Sequence, residues 1–170
     1  VFSHVAELPT DGLPPTLFYL CGLLAWNYFS QTFNSTSSTL VANAGLFGKV
    51  YFPRLIVPLS GVISNGISFL IQALSFFAVL IIYRATHLES TVGPRWSAIV
   101  FIPLVLLQLA AFGLGVGLWL SALTAKFRDI GVLSGFLLQL WMYLTPVIIP
   151  LAKVPPQWHF VVALNPVTMP

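Results

Sequence analysis

The sequence predicts an all-α integral membrane protein, on three observations. Of its 170 residues 58% are hydrophobic and only 6% are charged, where a soluble domain carries about a quarter charged residues. A surface so poor in charge cannot be wetted, so lipid has to be its solvent. Uncharged apolar runs long enough for a membrane-crossing helix recur four times, at 15–33, 60–83, 97–125 and 130–152. Each run is continuous rather than alternating, and an open sheet cannot lie in lipid with unpaired edges, so strands are excluded.

The first run, "PTLFYLCGLLAWNYFSQTF", follows the turn cluster "LPTDGLPP" (8–15) and comes close to the length that about 30 Å of hydrocarbon requires. Asn27, Gln31 and Asn34 fall on one side of it at helical spacing. Segment 34–59 then places Lys49 and Arg54 beside Pro53 and Pro58. In the second run Gly61, Ser64, Asn65, Ser68, Gln72 and Ser75 share a side. Two readings of these polar faces stand side by side: hydrogen bonding between helices, or the lining of a path for a polar cargo. A short loop, "STVGPRW" (90–96), leads to the third run. There Gly113, Gly117, Ser121 and Ala125 recur every fourth residue, a small-residue stripe that lets a second backbone approach, either a neighbour in this chain or a dimer partner. "KFRD" (126–129) joins it to the fourth run, whose prolines lie toward the far end.

Four spans place alternate connections on the same side. Lys49, Arg54, Lys126 and Arg128 share one side and Arg84, Arg95 and Lys153 the other, so the positive-inside rule puts the first set in the cytoplasm. Asp129, next to Arg128, reads as half of a loop salt bridge rather than as a catalytic acid.

The inventory for other functions is thin. Seven Lys or Arg scattered along the chain make no basic stripe for nucleic acid. A single cysteine, Cys21, allows neither an internal disulfide nor a cysteine metal cluster. His4, His87 and His159 lie in separate segments outside the spans, and no catalytic or metal site is expected. No G-x-x-x-x-G-K-[ST] loop occurs, and "GLGVG" (113–117) lies within an uncharged helix, so any ATP has to be bound by another chain. "NST" (34–36) matches a glycosylation acceptor but falls on the cytoplasmic side. Aromatic residues collect at span ends, where they anchor the interface or offer faces for sugar rings. Trp26, Trp141 and Tyr143, with Gln72, are the candidates for a glycan path.

Three stretches, "KVYFPRLIVPLS" (49–60), "GLGVGLWLSALTAKFRDIG" (113–131) and "LLQLWMYLTPVIIP…VPPQWHFVVALNPVT" (137–168), together resemble the membrane subunit of ABC-2 type polysaccharide exporters, the class that moves O-antigen, capsule or teichoic-acid chains. The resemblance runs from about residue 8 to residue 170. It implies a homodimer of six-span subunits in the bacterial cytoplasmic (inner) membrane, carrying lipid-linked polysaccharide. Each subunit would join a separate ABC ATPase, which binds ATP and Mg; this chain would need no cofactor. The present spans would be the second to fifth, with an interface helix and one span before them and one span after them outside this sequence. The resemblance further implies a coupling helix within 36–58 that docks on the ATPase; Lys49 and Arg54 would hold this segment at the cytoplasmic face, and Leu46, Phe47 and Tyr51 near them are the docking candidates, because interfaces draw most of their energy from a few apolar or aromatic anchors. A cytoplasmic loop of Lys126, Arg128 and Asp129 and short re-entrant helices at the outer mouth complete the pattern. Two rivals are an ABC-2 exporter of a drug or small lipid and a membrane-embedded glycan-handling enzyme.

Overall fold

The computed structural model describes residues 15–49, 51–86, 100–145 and 167, and the elements among them are all helices. In chain order these are α1 (Pro15–Ser37), α2 (Thr39–Ala42), α3 (Ala44–Phe47), α4 (Ile56–Thr86), α5 (Ile102–Lys126) and α6 (Ile130–Leu144).

Local chemistry sets where each helix starts and stops. α1 ends in a hydroxyl-rich turn, where side chains on it and just after it bond back onto helix carbonyls. Ser35 Oγ donates to the Thr32 carbonyl at 3.1 Å, Ser37 Oγ to the Asn34 carbonyl at 3.1 Å and Thr39 Oγ1 to the Ser35 carbonyl at 2.6 Å. α4 starts at Ile56 instead of the expected residue 60 and ends at Thr86 instead of 83. Pro58 falls in its first turn, where a missing N–H breaks no helical bond. α5 starts at Ile102, with Pro103 again in the first turn, rather than at 97; residues 97–99 lie outside the described residues. α6 starts at residue 130 as expected but stops at Leu144 rather than 152. Thr145 is extended there (φ −99°, ψ 135°), the backbone that the following Pro146 imposes on its predecessor.

Among the described residues two helices are long and apolar enough to cross a membrane, α4 with 31 residues and α5 with 25. α1 has the length, at 23 residues, but its last turn is made of Asn, Ser and Thr. α6, at 15 residues, rises roughly 22 Å against about 30 Å of hydrocarbon. The described helices therefore supply two clear spans where the sequence predicts four. The re-entrant helices expected after residue 152 lie outside the described residues.

Contacts fix the helix directions. Along α1, Phe29 and Thr32 meet Gly113, Thr36 meets Gly117 and the Leu40 amide meets Ser121, so α1 and α5 run parallel. Along α4 the order reverses: Asn27 meets Gln72, Tyr28 meets Phe69 and Ser35 meets Asn65, so α1 and α4 are antiparallel. α6 returns antiparallel to α5 after a three-residue connection, with Phe112 on Trp141 at 5.4 Å between ring centroids and a Cβ at Gly131 3.2 Å from Thr124. Lys49 and Arg54 therefore lie at the same end of the bundle as Lys126 and Arg128.

That shared end gives a direct expectation for sidedness. In full-length protein on a Cys21→Ser background, Lys49→Cys and Lys126→Cys should respond alike to an impermeant thiol reagent on intact cells, both shielded, while Glu89→Cys reacts. Opposite behaviour of the first two variants would contradict the helix directions; a shielded Glu89→Cys would invert the orientation.

Phe29 is the hub of the core. It is fully buried, and its ring lies 5.5 Å from Trp26, 5.7 Å from Phe112 in a stacked pose (19°), 5.7 Å from Trp141 and 6.2 Å from Phe33. One α1 side chain thus ties α5 and α6 to α1.

Candidate functional site

At the basic end, segment 36–58 is the last turn of α1, the one-turn helices α2 and α3, a turn, and the start of α4. Between the two long helices, α2 and α3 are separated by Asn43 alone. Asn43 closes α2 and opens α3: its backbone N–H donates to the Thr39 carbonyl and its carbonyl accepts the Leu46 N–H. The docking candidates differ in presentation. Tyr51 is fully exposed, Leu46 is exposed by 45%, and Lys49 and Arg54 are exposed. Phe47 is half-buried, its ring 5.7 Å from that of Phe52.

The 126–129 connection lies at the same end. Lys126 sets its ammonium 5.3 Å from the centre of the Phe127 ring, a cation–π contact. Arg128 and Asp129 are both exposed and form no ion pair among the described residues, where a loop salt bridge between them is the expectation. Asp129 is instead the N-cap residue of α6, where its charge faces the positive end of the helix dipole.

α2 is fastened to α5. The Leu40 N–H donates to Ser121 Oγ at 3.1 Å, and Ser121 is fully buried. Below this bond the small-residue stripe lies against α1. A Cβ on Gly113 would come within 3.0 Å of Thr32 Cγ2; one on Gly117 would come within 2.7 Å of Thr36 Cβ and 3.2 Å of the Phe33 carbonyl oxygen. Glycine at these two positions lets the backbones meet. Thr32 and Thr36 are themselves fully buried, and their hydroxyls have no hydrogen-bond partner. Contact here is shape against shape. Sequence reasoning identified the stripe but not these threonines, whose signal is the interleaved four-residue spacing of Phe29/Phe33 and Thr32/Thr36.

The polar faces of α1 and α4 meet along one edge. Asn27 Nδ2 donates to Gln72 Oε1 at 3.5 Å and Asn65 Nδ2 to Ser35 Oγ at 3.2 Å. Asn34 and Ser64, on either side of this seam, are exposed. The four glycan-path candidates do not gather: Trp26 is buried against Phe29, Trp141 is half-buried in the aromatic core, Tyr143 is exposed on α6, and Gln72 is in the seam. On another side of α1, an apolar cleft of about 240 Å³ opens between α1, α4 and α5, lined by Cys21, Phe69, Phe76 and Leu106 among others. Among the described residues no cluster of His, Cys, Asp or Glu is placed to hold a metal.

Known proteins share this pattern. The chain is 28% identical over 151 residues to the O-antigen export system permease protein RfbA of Klebsiella pneumoniae, across 89% of this chain and 56% of that protein. It is 30% identical over 151 residues to the protein of the same name from Myxococcus xanthus, across 88% and 55% respectively. The chain thus spans little more than half the length of these relatives. The ABC-2 type transporter family matches it over residues 1–170. An all-helical bundle with two clear spans, matched from end to end by that family, belongs to the ABC-2 type transporter membrane proteins.

Proposed function

We propose that this chain is the central part of the membrane-spanning subunit of an ATP-driven exporter, which moves lipid-linked polysaccharide across the bacterial cytoplasmic membrane. The observation that carries the reading is the relatives' shared description as O-antigen export system permeases, coupled to a family match along the whole chain. The protein works as a transport subunit in a homodimer, and ATP with Mg is held by a separate ATPase chain. Four crossings, by α1, α4, α5 and α6, carry the sequence through the bilayer, with Lys49, Arg54, Lys126 and Arg128 at its cytoplasmic face.

The ATPase docks on segment 36–58. Exposed Leu46 and Tyr51 beside Lys49 and Arg54 offer what an interface needs, apolar and aromatic anchors with charge at the rim. The test uses the full-length subunit with its ATPase. Tyr51→Ala should leave abundance in the membrane unchanged, because the side chain touches nothing in the fold, while co-purification of the ATPase falls at least tenfold and export is lost. Phe47→Ala should do the same with a small loss of stability from its Phe52 contact. Normal export in both variants would remove the coupling role. The apolar cleft favours a second reading, export of a small lipid, which predicts that deleting the gene leaves surface polysaccharide intact.

A further inference from the structure

The seam between α1 and α4 is the floor of a polar groove, and it resolves into two kinds of side chain. Several hydroxyls are satisfied inside their own helices: Ser38 Oγ donates to the Asn34 carbonyl at 3.0 Å and Ser75 Oγ to the Gln72 carbonyl at 2.6 Å. Such groups tolerate lipid. The amides do not. Exposed Asn34 and half-buried Gln31 have no side-chain hydrogen bond among the described residues, and Asn27, Asn65 and Gln72 each use one of several donor and acceptor positions. An amide left unpaired in hydrocarbon costs several kcal/mol, so lipid is a poor neighbour for this face.

The groove has direction and depth. It begins at Ser38, at the basic end, and its amides finish at Asn27 and Gln72; the exposed residues of α1 beyond are Leu23, Cys21 and Leu20. Eleven residues of helix rise about 16 Å, roughly half of a 30 Å hydrocarbon layer. No charged residue occurs in 15–48 or 55–83. A lining of amides and hydroxyls both donates and accepts but neutralises nothing, which matches a neutral, hydroxyl-rich chain and gives no compensation for stripping water from an ionised one.

We infer that the α1–α4 groove is a hydrated entry site for an uncharged, hydroxyl-rich segment of the exported glycan, open from the basic end of the bundle to mid-bilayer. This rests on the polysaccharide reading above and adds where in the chain the cargo first leaves the aqueous phase. Trp26 and Trp141 take no part, because both belong to the core on the other side of α1.

The experiment uses the full-length subunit with its ATPase, Cys21→Ser, in inside-out vesicles. The single variants are Asn34→Cys, Ser64→Cys, Gln31→Cys and, as a control on α1 beyond the amides, Leu23→Cys. Vesicles come from cells that make the glycan and from cells blocked in its synthesis. The probe is a positively charged, impermeant methanethiosulfonate. Modification at Asn34→Cys and Ser64→Cys is expected at least tenfold faster than at Leu23→Cys without glycan, and at least fivefold slower once glycan is present; Gln31→Cys serves if either first variant is poorly expressed. Rates equal to that of Leu23→Cys would show the groove covered by another helix or a second copy and would overturn the proposal. Fast modification unchanged by glycan would overturn it too, leaving a wet groove that is not the cargo's. Failure of the polysaccharide reading is separate: it appears as normal surface glycan in cells lacking the gene.

Discussion

Gly117→Leu is expected to cost about 3 kcal/mol of stability, at the upper end of the range for overpacking, and to lower the yield of folded full-length protein several-fold. The size follows from what the new side chain meets. Its Cβ alone would lie 2.7 Å from Thr36 Cβ and 3.2 Å from the Phe33 carbonyl oxygen, and a carbonyl on a helix backbone cannot rotate aside. α1 and α5 would have to separate, breaking the Leu40–Ser121 bond above. Two neighbours calibrate the effect. Gly115 is exposed and a Cβ there meets nothing within 4 Å, so Gly115→Leu should be neutral. Val116 is partly buried beside the core, and Val116→Leu should be mild. Thermal unfolding in detergent, read by the loss of the monodisperse peak, ranks all three. Equal stability of Gly117→Leu and Gly115→Leu would mean that the stripe packs against nothing.

Phe29→Ala should produce the second large loss. In water-soluble proteins such a truncation costs about 3–5 kcal/mol, the sum of a transfer term and a cavity term. In a bilayer the unfolded reference is also apolar, so the transfer term shrinks and the cavity term remains. A loss of roughly 2–3 kcal/mol is expected, with Phe29→Leu intermediate because it refills part of the space. Four aromatic rings lose their common neighbour at once, so α6 should loosen from α5 as well. Trp119→Ala, a larger truncation at a residue 66% exposed, should by contrast stay within about 0.5 kcal/mol in the same assay. If Trp119→Ala is the more damaging, the core has been placed on the wrong face of α5.

The sequence shows some of this more readily than the rest. Continuous uncharged runs identify α1, α4, α5 and the start of α6 because a lipid solvent leaves few alternatives. The end of α6 at Leu144 is not marked by the uncharged run, which continues past it; the signal is Pro146, whose steric demand falls on Thr145. The start of α4 was drawn too late: Pro58 reads as a break, yet a first turn accepts it. The stripe of Gly113, Gly117 and Ser121 was legible since small residues every fourth position have one physical use in lipid. Its partner was not, because threonine serves as well on a lipid-facing surface as in a tight contact. Trp26 and Trp141 pack around Phe29, a placement that the sequence does not show because a span-end tryptophan carries the same signature whether it anchors an interface or fills a core. What decides for the core is Phe29 between them, a long-range relation that periodicity within one helix does not contain.

The parallel pairing of α1 with α5 also bears on how the protein is made. Thr32 and Thr36 wait for Gly113 and Gly117, about 80 residues later in the chain. At ~5–20 residues per second of synthesis, that interval is roughly 4–16 s. Through it the face of α1 that α5 will cover, with two hydroxyls that end without a partner, is without its α5 contacts. A ribosome stalled between residues 86 and 102 therefore leaves a half-made bundle whose most tightly packed surface is bare, the species that membrane proteases should recognise first.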